Sequence, residues 1–393
     1  MKILIVIPDL TIGGAEVTVV NLANNFVQRG HEIFIFECYD GRNEVLFNTI
    51  RKEVKIVTYK PSAFTRLSNS LLNLFFGKSK FNNKVYSYFQ AKHFNSLVDR
   101  NAIEVVNSHL PSADFFVYMT LNELLLKKLS WVVSMHGSYE NSRKKLPLSE
   151  KIFKRVNGVV YLTDRNLNVL DSYKNLNLEV AKIYNCLGDW QLKKEEQVYE
   201  IPQPQGNIFT FGLISRGDYK KGWREAIKAV VHLNNEGLEC RLILGGDGVA
   251  KDELQVEFKE YDFIIFAGFV ENPLSLTKEF DVGLLPSYFE SLPYTIMEYL
   301  YCGIPTIATN VGEVKAMLEI NQGALKAGII VDYFQDSLRL EKDLIDAMQT
   351  YILNKDLYKE HQGNTTILYE QFNPQKWGEN YLDFYHKVKT KLI

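Results

Sequence analysis

Residues 281–313 read DVGLLPSYFESLPYTIMEYLYCGIPTIATNVGE. The run 281–285 is short, apolar and of strand type, and Pro286 with Ser287 breaks it into a loop. Ser291 is placed to cap a following helix, Pro293 suits a first turn that needs no amide there, and Gly303 with Pro305 ends it. A second apolar run, 305–308, predicts the next strand, which completes a βαβ unit of a parallel sheet. Glu290 then lies on the loop and Glu298 inside the helix. In open parallel sheets, ligands bind beyond the carboxyl ends of the strands, where helix N-termini offer unsatisfied amides. Two carboxylates with seven residues between them, straddling such a turn, suit a ligand rich in hydroxyls, which paired acceptors hold and charge does not. The same glutamates would fit an ordinary solvated turn, although Met297, Leu300 and Tyr301 make the helix largely apolar.

The stretch resembles the E-x7-E motif of the GT-B glycosyltransferases, of the retaining family 4 type, and the likeness runs on through Cys302, Gly303, Ile304 and Pro305 to Val311, Gly312 and Glu313. That resemblance implies an α/β chain of the GT-B kind: two Rossmann-like, doubly wound parallel-sheet domains facing a cleft. It also implies a nucleotide-sugar donor on the C-terminal domain, an acceptor on the N-terminal one, and a C-terminal helix returning to the N-terminal domain.

Working outward, 393 residues exceed the size at which one core keeps growing, so two domains are expected. With 46% hydrophobic and 23% charged residues the composition is that of a soluble globular protein. A net charge of -2 gives no polyanion-binding signal, so nucleic acid is not an expected partner. Cys38, Cys186, Cys240 and Cys302 are widely spaced, without C-x-x-C or metal-ligand spacing, which fits reduced thiols in the cytoplasm. The opening MKILIVIP is cut short by Pro8 and Asp9 and reads as a strand, not a signal core. No run approaches the roughly 18 apolar residues that span a bilayer, so membrane contact would be peripheral, at the inner face.

Periodicity divides the chain into an N-terminal acceptor-side domain (1–189), a polar Pro-rich linker (190–206, WQLKKEEQVYEIPQPQG), a C-terminal nucleotide-sugar-binding domain (207–372) and a last helix (373–393) carrying Trp377, Tyr381, Phe384 and Tyr385. In the first domain, strand 2–7, a loop, a helix from Ala15 to Gly30 and strand 32–38 form an opening βαβ. Gly13 and Gly14 stand where the loop becomes the helix, so a ligand phosphate could meet bare backbone, or the pair serves close packing alone. Neither G-x-G-x-x-G after strand one nor a Walker P-loop occurs, which disfavours a nicotinamide dehydrogenase. Strands are expected at 103–107 and 131–135, with His109 after the first and His136 after the second, beside Gly137. Residues 54–98 hold seven Lys or Arg, no Asp or Glu, and interleaved Phe and Leu; a second basic cluster occupies 143–155. These segments suit either peripheral contact with an anionic membrane or ordinary solvated helix faces.

The second domain restarts with strand 208–214, followed by SRGDYKKGW at 215–223. Arg216 and Lys221 flank a loop opening a helix, an arrangement suited to a diphosphate. The family resemblance assigns roles. Arg216 and Lys221 become the diphosphate clamp of an R-x4-K-G motif, Glu290 the ligand of the donor sugar hydroxyls, Glu298 that of the ribose, and His136 a sugar contact near the breaking bond. Gly13 and Gly14 meet the phosphates. Leu292, Pro293 and Tyr294 complete the donor loop, and Phe269 and Val270 lie at the base. The implied activity is metal-independent hexosyl transfer with retention, from a nucleotide-diphosphate donor (a UDP-sugar) to a glycan or lipid-linked saccharide, as in surface polysaccharide assembly. No cofactor beyond the donor substrate is expected, and no D-x-D metal clamp occurs. A related GT-B sugar-nucleotide epimerase or phosphorylase would share the diphosphate site, and a non-catalytic nucleotide-sugar- or glycan-binding partner is the remaining alternative.

Overall fold

The structure is a computed structural model and describes residues 1–11, 13–61, 84–136, 146–171, 176, 178–203, 206, 208–333 and 336–390. The chain divides into two compact units, Met1–Tyr184 with Pro374–Ile393, and Asn185–Asn373.

The first unit is built on strands β1 (Lys2–Ile7), β2 (Glu32–Glu37), β3 (Lys55–Thr58), β4 (Val105–His109), β5 (Ser130–Met135), β6 (Gly158–Tyr161) and β7 (Glu179–Lys182). They lie in the order β3-β2-β1-β4-β5-β6-β7, every neighbouring pair parallel. Ile3 to Ile7 are all 0% exposed, because helices cover both faces of a parallel sheet; that is why β1 reads as an unbroken apolar run rather than an alternating one. The chain leaves β1 towards β2 and β3, then returns to place β4 on the other side of β1. This reversal opens a crevice at the carboxyl ends of β1 and β4.

The helix Pro374–Thr390 completes this unit. Its buried Trp377, Tyr381, Phe384, Tyr385 and Val388 recur every three or four residues, the spacing that lines one helix face. Tyr381 and Tyr385 meet Phe26 edge to face, and Asn107 Nδ2 donates to the Tyr385 hydroxyl at 2.6 Å. Each such side chain contributes about 1.5–3 kcal/mol on burial, so the helix face supplies on the order of 10 kcal/mol.

The second unit carries β8 (Phe209–Ile214), β9 (Cys240–Gly245), β10 (Ile264–Gly268), β11 (Val282–Leu285), β12 (Thr306–Thr309), the short antiparallel pair β13 (Glu319–Ile320) and β14 (Leu325–Lys326), and β15 (Gly328–Val331). The main sheet runs β10-β9-β8-β11-β12-β15, all parallel, and reverses between β8 and β11.

Several sequence expectations shift. Strand β4 lies two residues later than expected, so His109 is its last residue. Strand β3 arises inside the basic segment 54–98, where Lys55 pairs with Glu32 at 2.5 Å. From the same segment, helix Lys84–Arg100 sends Phe94 and Val98 into the core; residues 62–83 lie outside the described ones. Of the second cluster, 143–145 also lie outside them, Lys154 pairs with Glu150, and Arg155 pairs with Glu123 while donating to the carbonyls of Tyr118 and Leu121. Residues 190–206, expected as a linker, belong to the second unit. Gln197 N donates to Ser275 Oγ, Asn272 Nδ2 to the Glu195 carbonyl, and Ile201 is 8% exposed. Held by polar bonds, this stretch needs no apolar stripe. All four cysteines carry unlinked thiols, and burial pushes Cys240 and Cys302 up to about 12.

Candidate active site

In the second unit the decisive loops follow β8 and β11, strands far apart in sequence but hydrogen-bonded neighbours at the reversal. After β8, Gly217 N donates to the Asp247 carbonyl, and the Asp218 side chain accepts from Lys220 N to cap a short turn, Tyr219–Lys221. Gly222 then adopts φ 72° and opens helix Trp223–Asn235. A Cβ there would run into the Pro286 carbonyl, so only glycine lets the two loops close up. Tyr288 N donates to the Lys220 carbonyl at 2.8 Å. Across this seam, Lys221 Nζ donates to Glu290 Oε1 at 2.6 Å, with side-chain exposures of 19% and 13%.

A third loop, after β12, supports the second. Gly312 has φ 58°, and a Cβ on it would collide with the carbonyl oxygens of Glu290 and Ser291. Glu313 N donates to the Ser291 carbonyl at 2.9 Å. The helix therefore begins at Tyr294, with Pro293 as its uncapped N-cap. Ser291 does not cap it: the serine is bound into the neighbouring loop instead. Glycine at 303, φ 77°, ends the helix as expected.

Glu298 lies inside this helix, 7% exposed; its carbonyl accepts from Cys302 N, while its carboxyl forms no hydrogen bond or ion pair with a described residue, and burial pushes that carboxyl up to about 7. Arg216 is exposed and forms no ion pair with a described residue. Leu292 and Pro293 are buried and Tyr294 half-buried. At the carboxyl end of β10, Phe269 is 60% exposed while Val270 packs on the apolar cluster of Ile214, Leu276 and Tyr299. So Lys221 and Glu290 touch, Arg216 shares the loop of Lys221, and Glu298 lies eight residues beyond Glu290, where the second turn of the helix begins. Among the described residues, no group of three His, Cys, Asp or Glu side chains is placed to hold a metal ion.

Two further residues escaped the sequence reading. The Tyr288 hydroxyl donates to Glu225 Oε1 at 2.5 Å, and its ring stacks on Tyr333 with centroids 4.6 Å apart. Glu225 is 6% exposed and its Oε2 has no partner among the described residues. Burial and the Glu225 carboxylate together push the Tyr288 phenol upwards. Tyr288 sits two residues before Glu290 and was available as a signal; Glu225, inside an amphipathic helix, was not.

In the first unit Gly13 is the N-cap of helix Gly14–Gln28, at the carboxyl end of β1. A Cβ on Gly13 would strike the Glu16 carboxylate, whose pKa burial raises. His109 ends β4 and His136 follows β5, and their rings meet: His109 Nδ1 lies 2.8 Å from His136 Nε2. Nothing in the sequence reports that these two strands are adjacent, so only His136 had a role there.

Solved structures with this architecture include a glycosyltransferase from Rickettsia africae ESF-5 (TM-score 0.72, 16% identity, 98% of each chain covered) and HepE of Anabaena in complex with UDP (TM-score 0.72, 16% identity, 98% of this chain and 100% of that one). Residues 12–187 match the family model described as Glycosyltransferase Family 4, and residues 195–363 match that of Glycosyl transferases group 1. The chain belongs to the GT-B glycosyltransferases of the family 4 type. The transferase is 24% identical over 396 residues, 99% of each chain, to the GalNAc-alpha-(1->4)-GalNAc-alpha-(1->3)-diNAcBac-PP-undecaprenol alpha-1,4-N-acetyl-D-galactosaminyltransferase of Campylobacter jejuni. It is 20% identical over 395 residues, 96% of this chain and 95% of the relative, to N-acetyl-alpha-D-glucosaminyl L-malate synthase of Bacillus anthracis. Among its described residues, no helix is long and apolar enough to cross a membrane.

Proposed function

We propose that this transferase moves a sugar from a UDP-sugar to a glycan or lipid-linked saccharide, retaining the anomeric configuration and using fixed side-chain cations rather than a metal ion at the diphosphate. The observation that carries the reading is the contact of Lys221 with Glu290 at the β8/β11 reversal, beside an exposed Arg216 that forms no ion pair with a described residue. As the bond from the anomeric carbon to the diphosphate oxygen breaks, negative charge gathers on that oxygen. Arg216 and Lys221 meet it as positive groups already in place. Glu290, steadied by Lys221, accepts hydrogen bonds from hydroxyls of the transferred sugar, and Glu298 accepts from the ribose. The acceptor oxygen bonds to the anomeric carbon on the face the diphosphate leaves, and its proton passes to the leaving phosphate. His136 contacts the sugar, Gly13 and Gly14 the phosphates; Leu292, Pro293 and Tyr294 shape the donor loop, and Phe269 and Val270 flank the base. The C. jejuni relative, which is named for a lipid-linked substrate, supports an acceptor of that class, and the same reading would have the enzyme work at the inner membrane face.

A panel of nucleotide sugars, scored for binding and slow hydrolysis, tests this reading. Binding of one UDP-sugar with release of UDP supports it; binding of none, or recovery of an epimerised donor, refutes it. Configuration is read by proton NMR of the product, metal independence by full activity in chelator, and membrane contact by co-sedimentation with anionic vesicles.

A further inference from the structure

The two histidines of the first unit form a pair whose protons can be placed. His109 is 0% exposed; its Nδ1 faces His136 Nε2 at 2.8 Å, and its Nε2 is buried with no partner among the described residues. Trp131 Nε1 donates to Ser108 Oγ, and Ser108 Oγ to Asp114 Oδ1, which fastens the end of β4 beside β5. Burial keeps both rings neutral, holding His109 well below its ordinary value and His136 at about 4. Each ring therefore carries one proton, and the shared bond admits two arrangements. If His136 donated through Nε2, the His109 proton would sit on Nε2, an N–H buried without an acceptor. If His109 donates through Nδ1, its Nε2 is a bare lone pair. Orphaned buried N–H groups are the rarer of the two in native proteins.

We propose that His109 is a positioning residue. It donates Nδ1–H to His136 Nε2 and so fixes His136 in the Nδ1–H tautomer, leaving that ring a neutral hydrogen-bond donor to the oxygens of the donor sugar. This rests on the reading of His136 as a sugar contact. The tautomer of one imidazole is set by the bond its other nitrogen makes, and a neutral donor adds no positive charge near an anomeric carbon that becomes electron-poor as the leaving group departs.

The test joins spectroscopy to kinetics. In two-bond proton–nitrogen correlation spectra of the nitrogen-15-labelled full chain, His136 is expected to show a protonated Nδ1 and an unprotonated Nε2; the reverse overturns the proposal. His109→Ala should lower kcat about 10–100-fold while the donor KM stays within about 3-fold, the usual size of losing an orienting partner. His109→Asn, whose amide nitrogen stands where Nδ1 stood, should recover kcat to within about 3-fold of the unsubstituted enzyme. Equal losses in both variants would overturn the proposal, and if either fails to fold, the spectrum of the unsubstituted chain decides. An unchanged kcat in His136→Ala removes the sugar-contact reading and this proposal together. A large loss there with His136 protonated on Nε2 removes the proposal alone.

Discussion

Replacing Lys221 by methionine removes a cation and keeps most of its stem. The ammonium lies 2.6 Å from Glu290 Oε1 in a setting where the two side chains keep 19% and 13% of their exposure. Unit charges about 4 Å apart attract by about 4 kcal/mol at an effective dielectric of about 20. Desolvation offsets part of that, and the substitution also leaves Glu290 enclosed without a partner, so the expected loss of stability is about 2–3 kcal/mol. For a unit of this size that is a fall of about 4–12 °C in melting temperature, read by calorimetry. Turnover should fall by about 100–1000-fold, the usual loss when one preorganised group facing developing charge is removed. Adding Glu290→Gln separates the two effects. The double variant should regain most of the lost stability, because no unpaired charge remains, yet its kcat should stay low. Normal turnover in Lys221→Met, or turnover that returns with stability in the double variant, would refute the reasoning.

Arg216→Ala should leave melting within about 0.5 kcal/mol of the unsubstituted protein, since the exposed side chain makes no ion pair with a described residue, while UDP binding by calorimetry weakens about 10-fold. Glu298 has its carboxyl raised from 4.5 to about 7, so its protonated form favours the folded state: stability should fall as pH rises from about 4.5 to about 7 and level off above, by on the order of 3 kcal/mol. Glu298→Gln should flatten that part of the stability profile and raise the donor KM more than it lowers kcat; an unaltered profile refutes the assignment. Gly312→Ala must strain a φ of 58° against two carbonyl oxygens, so urea denaturation should show a loss of about 1–3 kcal/mol, with reduced activity as the Glu290 backbone is displaced.

The alternation of strands and helices was legible because buried parallel strands are written as short apolar runs, β1 and β11 being plain cases. The placing of Glu290 on a loop and of Glu298 inside the helix after it was legible as spacing across one turn. Strand order was not. Nothing local states that β8 lies against β11 or β4 against β5, so the meeting of Lys221 with Glu290 and of His109 with His136 could only come from the fold. Ser291 shows a subtler limit. Its side chain suits an N-cap, but its carbonyl is claimed by Glu313 from another loop, and a tertiary bond outweighed a local preference. Glu225 and Tyr288 fall in the same class, as partners across 63 residues of chain.

The helix Pro374–Thr390 has a consequence for how the protein comes into being. A ribosome must finish all of Asn185–Asn373 before that helix emerges, so the unit begun first is the one completed last. Until then the nascent unit holds Phe26 of its first helix and Asn107 and Gly158 of its sheet without their cover, a sticky surface that invites chaperones. A stop codon just ahead of Pro374 would spare Arg216, Lys221, Glu290 and Glu298 and still yield a product destined for degradation.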